Sequence, residues 1–359
     1  MLLSRQRMKV DGRRVRAQPL SAAFALAWIL ASCGSEPTSS IAPERDAPLR
    51  APSCELGELS AHPGSSVALA PRGIVLREDG APKLLPLGAD AGEPTVLDVL
   101  SVPPRGVTRR GAGWLALAST ADGPALLVIG SRAEAGGRSV RRVALGAGAL
   151  ADGALVVRGD RAIATWVDEA GGARVARIDL LRDLATAPVV LDGSSGSDHV
   201  FASATAGGAV VAFAAPGAPL FEIRDTTATR RPAPGIVRGL TPAARGTAVL
   251  HEAPDRTGLW VTIGDAPPVR ATQPGAGPAS PSLAAIQGGL LLVYREGRDV
   301  FLQPLSARGA STAPALVAGP AGERASAPLV AVDDDNFWIA WDTTGDHGPE
   351  VRVRTGRCD

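Results

Sequence analysis

Carboxylates are concentrated in seven short polar segments between residues 78 and 348, and these segments are the first candidates for chemistry. They contain ten acidic residues and only two basic ones, Arg256 and Arg295. The acids are Glu78, Asp79, Asp122, Asp168, Glu169, Glu252, Asp255, Glu296, Asp342 and Asp346. If the fold gathers these segments on one rim, their negative potential would attract a cation or a basic partner. The candidate binding face is Asp79, Asp168, Glu169, Asp255, Glu296 and Asp342. The alternative is that these acids only hydrogen-bond within turns.

The four histidines, His62, His199, His251 and His347, fall near the same segments. Imidazole and carboxylate groups together could hold a transition metal. However, His62 and His347 belong to the neighbouring first and last repeats, whereas His199 and His251 belong to the fourth and fifth, so one site would require all four to converge near the axis. The run from Asp333 to Asn336 lacks the alternating spacing and the glycine of a calcium loop, which favours a polar turn. We therefore predict no metal site and no cofactor, with a divalent cation at the acidic face as the alternative.

Motifs of common catalytic sites are absent from the sequence. It contains no Gly-x-Ser-x-Gly nucleophile elbow, no phosphate-binding P-loop and no His-Glu-x-x-His metal motif. Five tryptophans follow residue 32, and four of them lie in strongly apolar stretches where packing is the expected role. We predict no catalytic residue.

The elements that position these segments repeat about every 44 residues, within the range of propeller blades. Each repeat has a strongly apolar stretch followed by a polar turn. The stretches are Gly73–Leu76, Trp114–Ala118, Ile163–Val167, Ala209–Phe213, Thr247–His251, Leu290–Tyr294 and Phe337–Trp341. No stretch has a sustained 3.6-residue period, so helix should be nearly absent. Four strands per repeat favour an all-β, seven-bladed propeller over a sandwich or a barrel.

The last repeat provides only three strands, Pro328–Val332, Asn336–Asp342 and Pro349–Thr355, before the sequence stops. A fourth strand is available at Glu55–Leu59, and pairing it beside the third would bring Cys54 next to Cys358. Two cysteines in an oxidising compartment suit one disulfide. The alternative is two unrelated buried thiols.

The segments from Pro281 to Tyr294 and from Phe337 to Gly345 resemble generic blades of sialidase-like bacterial propellers. The resemblance implies the fold rather than an activity. The Ser-x-Asp-x-Gly-x-x-Trp box of sialidases is missing, and the only tyrosine, Tyr294, is a strand-end residue near Glu296.

The N-terminus has the basic, apolar and small-residue layout of a secretory signal. The apolar run from Leu20 to Ala31 is too short to span a bilayer, which takes about 20 residues. The sequence Leu30-Ala31-Ser32-Cys33 resembles the lipobox of bacterial lipoproteins. The resemblance implies cleavage before Cys33 and acylation of its thiol, and Gly34 favours the outer membrane. The alternative is an ordinary secretion signal that contains a cysteine.

Three segments follow from this: a signal peptide (1–32), a flexible tether (33–53) and a propeller (54–359). The signal holds six of the 37 basic residues and one of the 36 acidic ones, which leaves 31 against 35 and a net charge of −4. This charge does not fit nucleic-acid binding. The leading hypothesis is a non-catalytic binding platform, lipid-anchored in the cell envelope, facing the periplasm or the cell surface, with a protein or glycan partner. The alternative is a hydrolase or lyase acting on a glycan or small molecule at the axial funnel.

Overall fold

The structure is a computed structural model that describes residues 50–88, 94–97, 104–130, 140–168, 172–193, 196–224, 227–253, 257–274, 276–320, 322–345 and 348–359. The predicted signal, most of the tether and Cys33 lie outside these ranges. The chain divides into two units, and the described residues all belong to the unit Ala47–Asp359. In the described ranges no residue is helical, and no helix could therefore cross a membrane.

Within the described ranges, 29 strands form seven antiparallel sheets of four strands, with one short extra strand in the sheet that begins with β10. The strands up to the third sheet are β1 (Cys54–Pro63), β2 (Ser65–Ala70), β3 (Gly73–Glu78), β4 (Ala81–Pro86), β5 (Thr95–Val96), β6 (Gly106–Arg110), β7 (Gly113–Thr120), β8 (Gly123–Ile129), β9 (Val140–Ala144), β10 (Leu150–Arg158), β11 (Arg161–Asp168), β12 (Ala173–Asp179), β13 (Leu184–Ala185) and β14 (Val189–Val190). The remaining strands are β15 (Val200–Thr205), β16 (Gly208–Phe213), β17 (Leu220–Arg224), β18 (Thr227–Arg231), β19 (Ile236–Ala243), β20 (Gly246–Glu252), β21 (Leu259–Ile263), β22 (Val269–Arg270), β23 (Ala279–Ile286), β24 (Gly289–Glu296), β25 (Asp299–Ser306), β26 (Leu316–Val317), β27 (Leu329–Asp333), β28 (Asn336–Gly345) and β29 (Gly348–Cys358).

The sheets are blades arranged in a closed ring. Blade 1 is β2 to β5, and blades 2 to 6 begin with β6, β10, β15, β19 and β23. Each of these innermost strands contacts the innermost strand of the next blade, and β27 of blade 7 contacts β2 of blade 1. This arrangement confirms the predicted seven-bladed propeller.

The apolar stretch of each repeat forms the second strand of its blade, because residues buried on both faces favour a central strand. Leu115, Ile339 and Leu291 are fully buried in β7, β28 and β24. Between blades, the apolar faces of adjacent sheets pack into separate clusters; one joins Trp166 of blade 3 to Leu117 of blade 2. The unit Ala47–Asp359 therefore contains its own cores and its own ring closure, which are the requirements for independent folding.

Blade 7 is closed by the N-terminal strand, as predicted. β1 pairs antiparallel with β29, Cys54 stands opposite Cys358, and the two residues form a disulfide with Cα atoms 4.0 Å apart. β1 extends beyond the predicted Glu55–Leu59 and contains a bulge between Leu56 and Leu59. Within the bulge, a Cβ atom at Gly57 would lie 2.7 Å from Thr355 Oγ1, so a larger residue there would require the Thr355 side chain to move.

The propeller has two faces that differ in their loops. Cys54, Cys358 and the turns joining first to second and third to fourth strands lie on one face, which we call the entry face. Residues 50–53 run along this face, since Ala51 N donates to Thr312 Oγ1 and Asp359 N to Ser53 O. The opposite face carries the turns joining second to third strands and the links between blades; we call it the link face.

Candidate functional site

The four described members of the predicted acidic set all lie at the link face. Glu296, Asp342 and Asp79 belong to the consecutive blades 6, 7 and 1, and Asp168 belongs to blade 3. Glu169 and Asp255 lie outside the described residues. Among the described residues, no group of three His, Cys, Asp or Glu side chains is arranged to hold a metal ion.

Three of these carboxylates have structural partners. Asp168 accepts hydrogen bonds from Gly172 N at 2.9 Å and from Arg174 Nε at 3.1 Å. Glu296 accepts one from Gly277 N at 3.0 Å. Asp342, three residues before the end of β28 rather than in a turn, accepts one from Ser66 N at 2.6 Å. Turn formation and blade packing thus use three of the four described members of this set.

Asp79 differs from these three because its side chain is exposed in a left-handed turn with φ of 50°. Acids counted in the same turns pair with bases on neighbouring strands. Glu78 pairs with Lys83 at 2.7 Å, Asp122 with Arg142 at 2.7 Å, and Glu252 with Arg238 at 2.9 Å. A count confined to the turns misses these bases, so the link face is less negative than that count indicates.

The described histidines stand apart from one another. His251 is fully buried and its Nε2 lies 3.0 Å from Thr262 Oγ1. His62 Nε2 lies 3.1 Å from Ser60 Oγ, and burial lowers the pKa of His62. A hydrogen bond to Asp152 raises the pKa of His199, whose Nδ1 lies 3.5 Å from the Asp152 carboxylate. His347 lies outside the described residues.

Tyr294 is a core residue. It is buried, and its ring stacks on Phe301 with centroids 5.7 Å apart. Burial, and secondarily the charge of Glu296, raises the pKa of Tyr294 to about 12, so the phenol is neutral at physiological pH. The run at Asp333–Asn336 is the predicted polar turn between β27 and β28, on the entry face.

A cleft that the sequence did not predict opens on the entry face between blades 3 and 4. It has a volume of about 860 Å³ and is lined by Arg158, Arg161, Arg177 and Arg182, with Asp179 as the only acid. Val156 and Ile163 contribute apolar side chains to it. A smaller cavity of about 120 Å³ shares Arg177 and Thr186 with it.

Strand register explains why the arginines converge. Arg158 pairs with Arg161 across the β10–β11 turn, Arg161 pairs with Asp179, and Ile163 pairs with Arg177. Because side chains alternate between the two faces of a sheet, these residues share the side that faces blade 4. These arginines lie on three consecutive strands and one turn and carry no motif, so only the pairing of strands could identify them.

The cleft exists because blade 4 presents almost no side chains there. Its first turn is Ala206-Gly207-Gly208, and all three residues line the cleft. A Cβ atom at Gly208 would lie 1.9 Å from Ile223 O, whereas one at Gly207 would meet only Arg224 Cδ at 4.0 Å. The Arg158 guanidinium bridges to this turn through Thr205 O at 2.7 Å and through Ala206 O.

No protein-family model matches the chain, and no curated protein matches it. Solved structures do. The WD40 domain of Toxoplasma gondii coronin is 11% identical with a TM-score of 0.53, covering 86% of this chain and 89% of that one. BBS1N, solved in complex with ARL6DN, is 10% identical with a TM-score of 0.53, covering 83% and 96%. YCF48, solved bound to a D1 peptide, is 12% identical with a TM-score of 0.52, covering 84% and 97%. At these identities the similarity shows the fold alone, and the fold is that of a β-propeller.

Proposed function

We propose that this protein is a non-catalytic binding platform of the cell envelope, anchored to a membrane by lipid on Cys33, with the link face directed toward a basic partner. The observation that carries the proposal is the position of the chain entry. Residues 50–53 and Cys54 lie on the entry face, whereas Asp79, Glu296 and Asp342 lie at the opposite face. A tether fixed to one face leaves the other face free for a partner.

The disulfide supports this arrangement mechanically. Cys54–Cys358 joins the first residue of β1 to the end of β29, so a pull on the tether would load the disulfide rather than peel β1 from the sheet. The similar proteins BBS1N and YCF48 were solved bound to ARL6DN and to a D1 peptide, which supports a binding role for this fold. Propellers also host enzymes, so the role must be tested at the site itself.

The test compares loss of two charges on the link face with loss of two charges on the entry face. Asp79→Asn/Glu296→Gln removes charge from the link face while keeping side-chain shape. Asp265→Asn/Asp334→Asn is the matched control, because both of its residues are exposed in entry-face turns. Asparagine suits the left-handed backbone at Asp79 and Asp334.

Each variant would be used to capture partners from envelope extract, and Ca²⁺ binding would be measured by calorimetry. We expect the link-face variant to lose a partner that the control retains. Binding of this partner to the wild type should weaken in high salt, because exposed charges are screened beyond about 8 Å. Identical partner profiles for both variants would remove the link face as the binding surface.

A further inference from the structure

We propose that the arginine-lined cleft between blades 3 and 4 binds the phosphate headgroup of an anionic phospholipid, so that the entry face docks on the membrane surface. The inference takes the nearness of a membrane from the proposed function, whereas its chemistry depends only on the cleft. Four guanidiniums and one carboxylate line the cavity. Arginine is well suited to phosphate because its planar fork donates two hydrogen bonds at once.

Two of the four guanidiniums of the cleft have no partner in the described part of the protein, whereas Arg158 donates to Thr205 O and Ala206 O. In the described ranges, the side chains of Arg161 and Arg177 have no ion pair or hydrogen bond. Asp179 accepts hydrogen bonds from Leu181 N at 3.0 Å and Arg182 N at 3.1 Å, which order the turn. The Arg182 guanidinium lies only loosely against it, at 3.8 Å. Arg158 and Arg161 stand opposite each other, which is unfavourable for like charges, and Asp179 opposite Arg161 is the one carboxylate that lines the cleft with them.

The turn beside the cleft has the composition of a membrane-contacting segment. It runs from Asp179 to Leu184, and it exposes 70% of Leu181 and 62% of Leu184 next to Arg182. Leucine side chains insert into the headgroup boundary while neighbouring arginines contact lipid phosphates. A soluble phosphate ester would need the guanidiniums but would not need these exposed leucines, so we commit to the phospholipid.

The cleft opens on the face that would lie toward the membrane. Its walls are the turn 158–161, the turn 179–184 and the turn 205–208, and all three lie on the face where residues 50–53 join the propeller. A chain anchored upstream of Cys54 would bring this face toward the bilayer. The bilayer would then be engaged at two places, the tether near blade 7 and the cleft at blade 3, with the link face turned away.

The experiment uses the unit Ala47–Asp359, which lacks Cys33, so that any membrane binding comes from the propeller. Co-sedimentation would be measured with vesicles of phosphatidylcholine alone and with vesicles containing phosphatidylglycerol. We expect binding only to the second kind. By charge alone, each guanidinium near an anionic surface contributes at most about fivefold in partitioning, or about 25-fold for two. Arg161→Gln/Arg177→Gln also removes the hydrogen bonds to the lipid phosphate and should therefore weaken partitioning by more than about 25-fold.

Three further variants distinguish binding in the cleft from diffuse electrostatic attraction to the vesicle. Arg245→Gln/Arg308→Gln removes two exposed arginines from the same face at blades 5 and 6 and should have a much smaller effect. Gly207→Phe should block the cleft without a change of charge and reduce binding. Leu181→Ser/Leu184→Ser alters only exposed side chains, so it should reduce binding without unfolding. Thermal melts would confirm that each variant is folded.

Several outcomes would overturn the proposal. Equal losses for the two arginine pairs would indicate diffuse attraction, and wild-type binding by Gly207→Phe would exclude the cleft. Calorimetric binding of glycerol 3-phosphate without vesicle binding would identify a soluble phosphate ester instead. The tested unit lacks Cys33. Failure of vesicle binding would therefore not argue against acylation of Cys33, and absence of acylation would not argue against vesicle binding by the cleft.

Discussion

Asp342 and Ser66 are separated by 276 residues, and the Asp342 carboxylate accepts a hydrogen bond from Ser66 N at 2.6 Å. This bond joins the second strand of blade 7 to the first strand of blade 1, across the junction where the ring closes. The same device recurs elsewhere: Asp152 accepts from Val200 N between blades 3 and 4, and Ser119 from Leu150 N between blades 2 and 3. Asp342 therefore contributes to ring closure.

Asp342→Ala should lower the free energy of unfolding by about 1–3 kcal/mol, because it leaves the Ser66 N–H without its acceptor. Asp342→Asn should retain most of the stability, since the amide oxygen can still accept. Urea unfolding would measure both, with Asp79→Ala as the control at an exposed turn. A loss in Asp79→Ala as large as that in Asp342→Ala would contradict a specific role at the junction.

Ring closure by the N-terminal strand predicts unequal effects of two deletions. Removal of residues 54–59 should strongly destabilise the propeller, because it breaks the disulfide and exposes the edge of β29. Removal of residues 34–49 should change little, since the buried Pro52 and all of β1 remain. Coincident thermal melts of the two truncated proteins would refute the closure.

Reduction of the disulfide should also destabilise the protein. The bridge spans a sequence separation of 304 residues, and loss of a natural disulfide costs about 2–5 kcal/mol. Cys54→Ser/Cys358→Ser should unfold at lower urea concentration than the wild type, and only the wild type should respond to reductant. A wild type insensitive to reductant would show that the bridge does not contribute.

His199 and His62 should give opposite pH dependences of stability. The pKa of His199 is raised above 6.5 by Asp152, so its contribution is present below pH 6.5 and is lost as pH rises through the raised value. The pKa of His62 is lowered by burial, so protonation below pH 6.5 opposes folding. His199→Gln should therefore lower Tm more at pH 5 than at pH 8. The corresponding loss of unfolding free energy should be less than about 1 kcal/mol because the side chain is exposed.

His62→Gln provides the comparison, because its stability relative to the wild type should be higher at pH 5 than at pH 8. Thermal melts across this pH range would measure both variants. The same pH profile for the two would contradict the assigned environments.

Acylation of Cys33 predicts that Cys33→Ala abolishes metabolic labelling by fatty acid and either leaves the protein soluble or leaves its signal uncleaved. Membrane fractionation and labelling of the intact chain would measure this. Persistent labelling of Cys33→Ala would reject the lipobox assignment. Ser32→Ala, which keeps a small residue before the cysteine, is the control that should remain labelled.

The sequence by itself determined the fold of this protein. Apolar stretches such as Leu290–Tyr294 must be buried on both faces, and their period of about 44 residues matches one four-stranded blade. The missing strand of the last blade and the placement of Cys54 and Cys358 predicted the closure. Such features can be predicted from the sequence because they depend on local patterns and on strand number alone.

Only the tertiary structure determined which surface charges are paired and where a cleft forms. The acids counted in turns pair with bases such as Lys83 and Arg142 on adjacent strands, and Asp342 is used for the junction between blades. The arginine cleft depends on cross-strand register and on the room left by Gly207 of the next blade. Electrostatic partners and cavities are set by cross-strand register and by packing between blades, and the order of residues along one strand does not encode them.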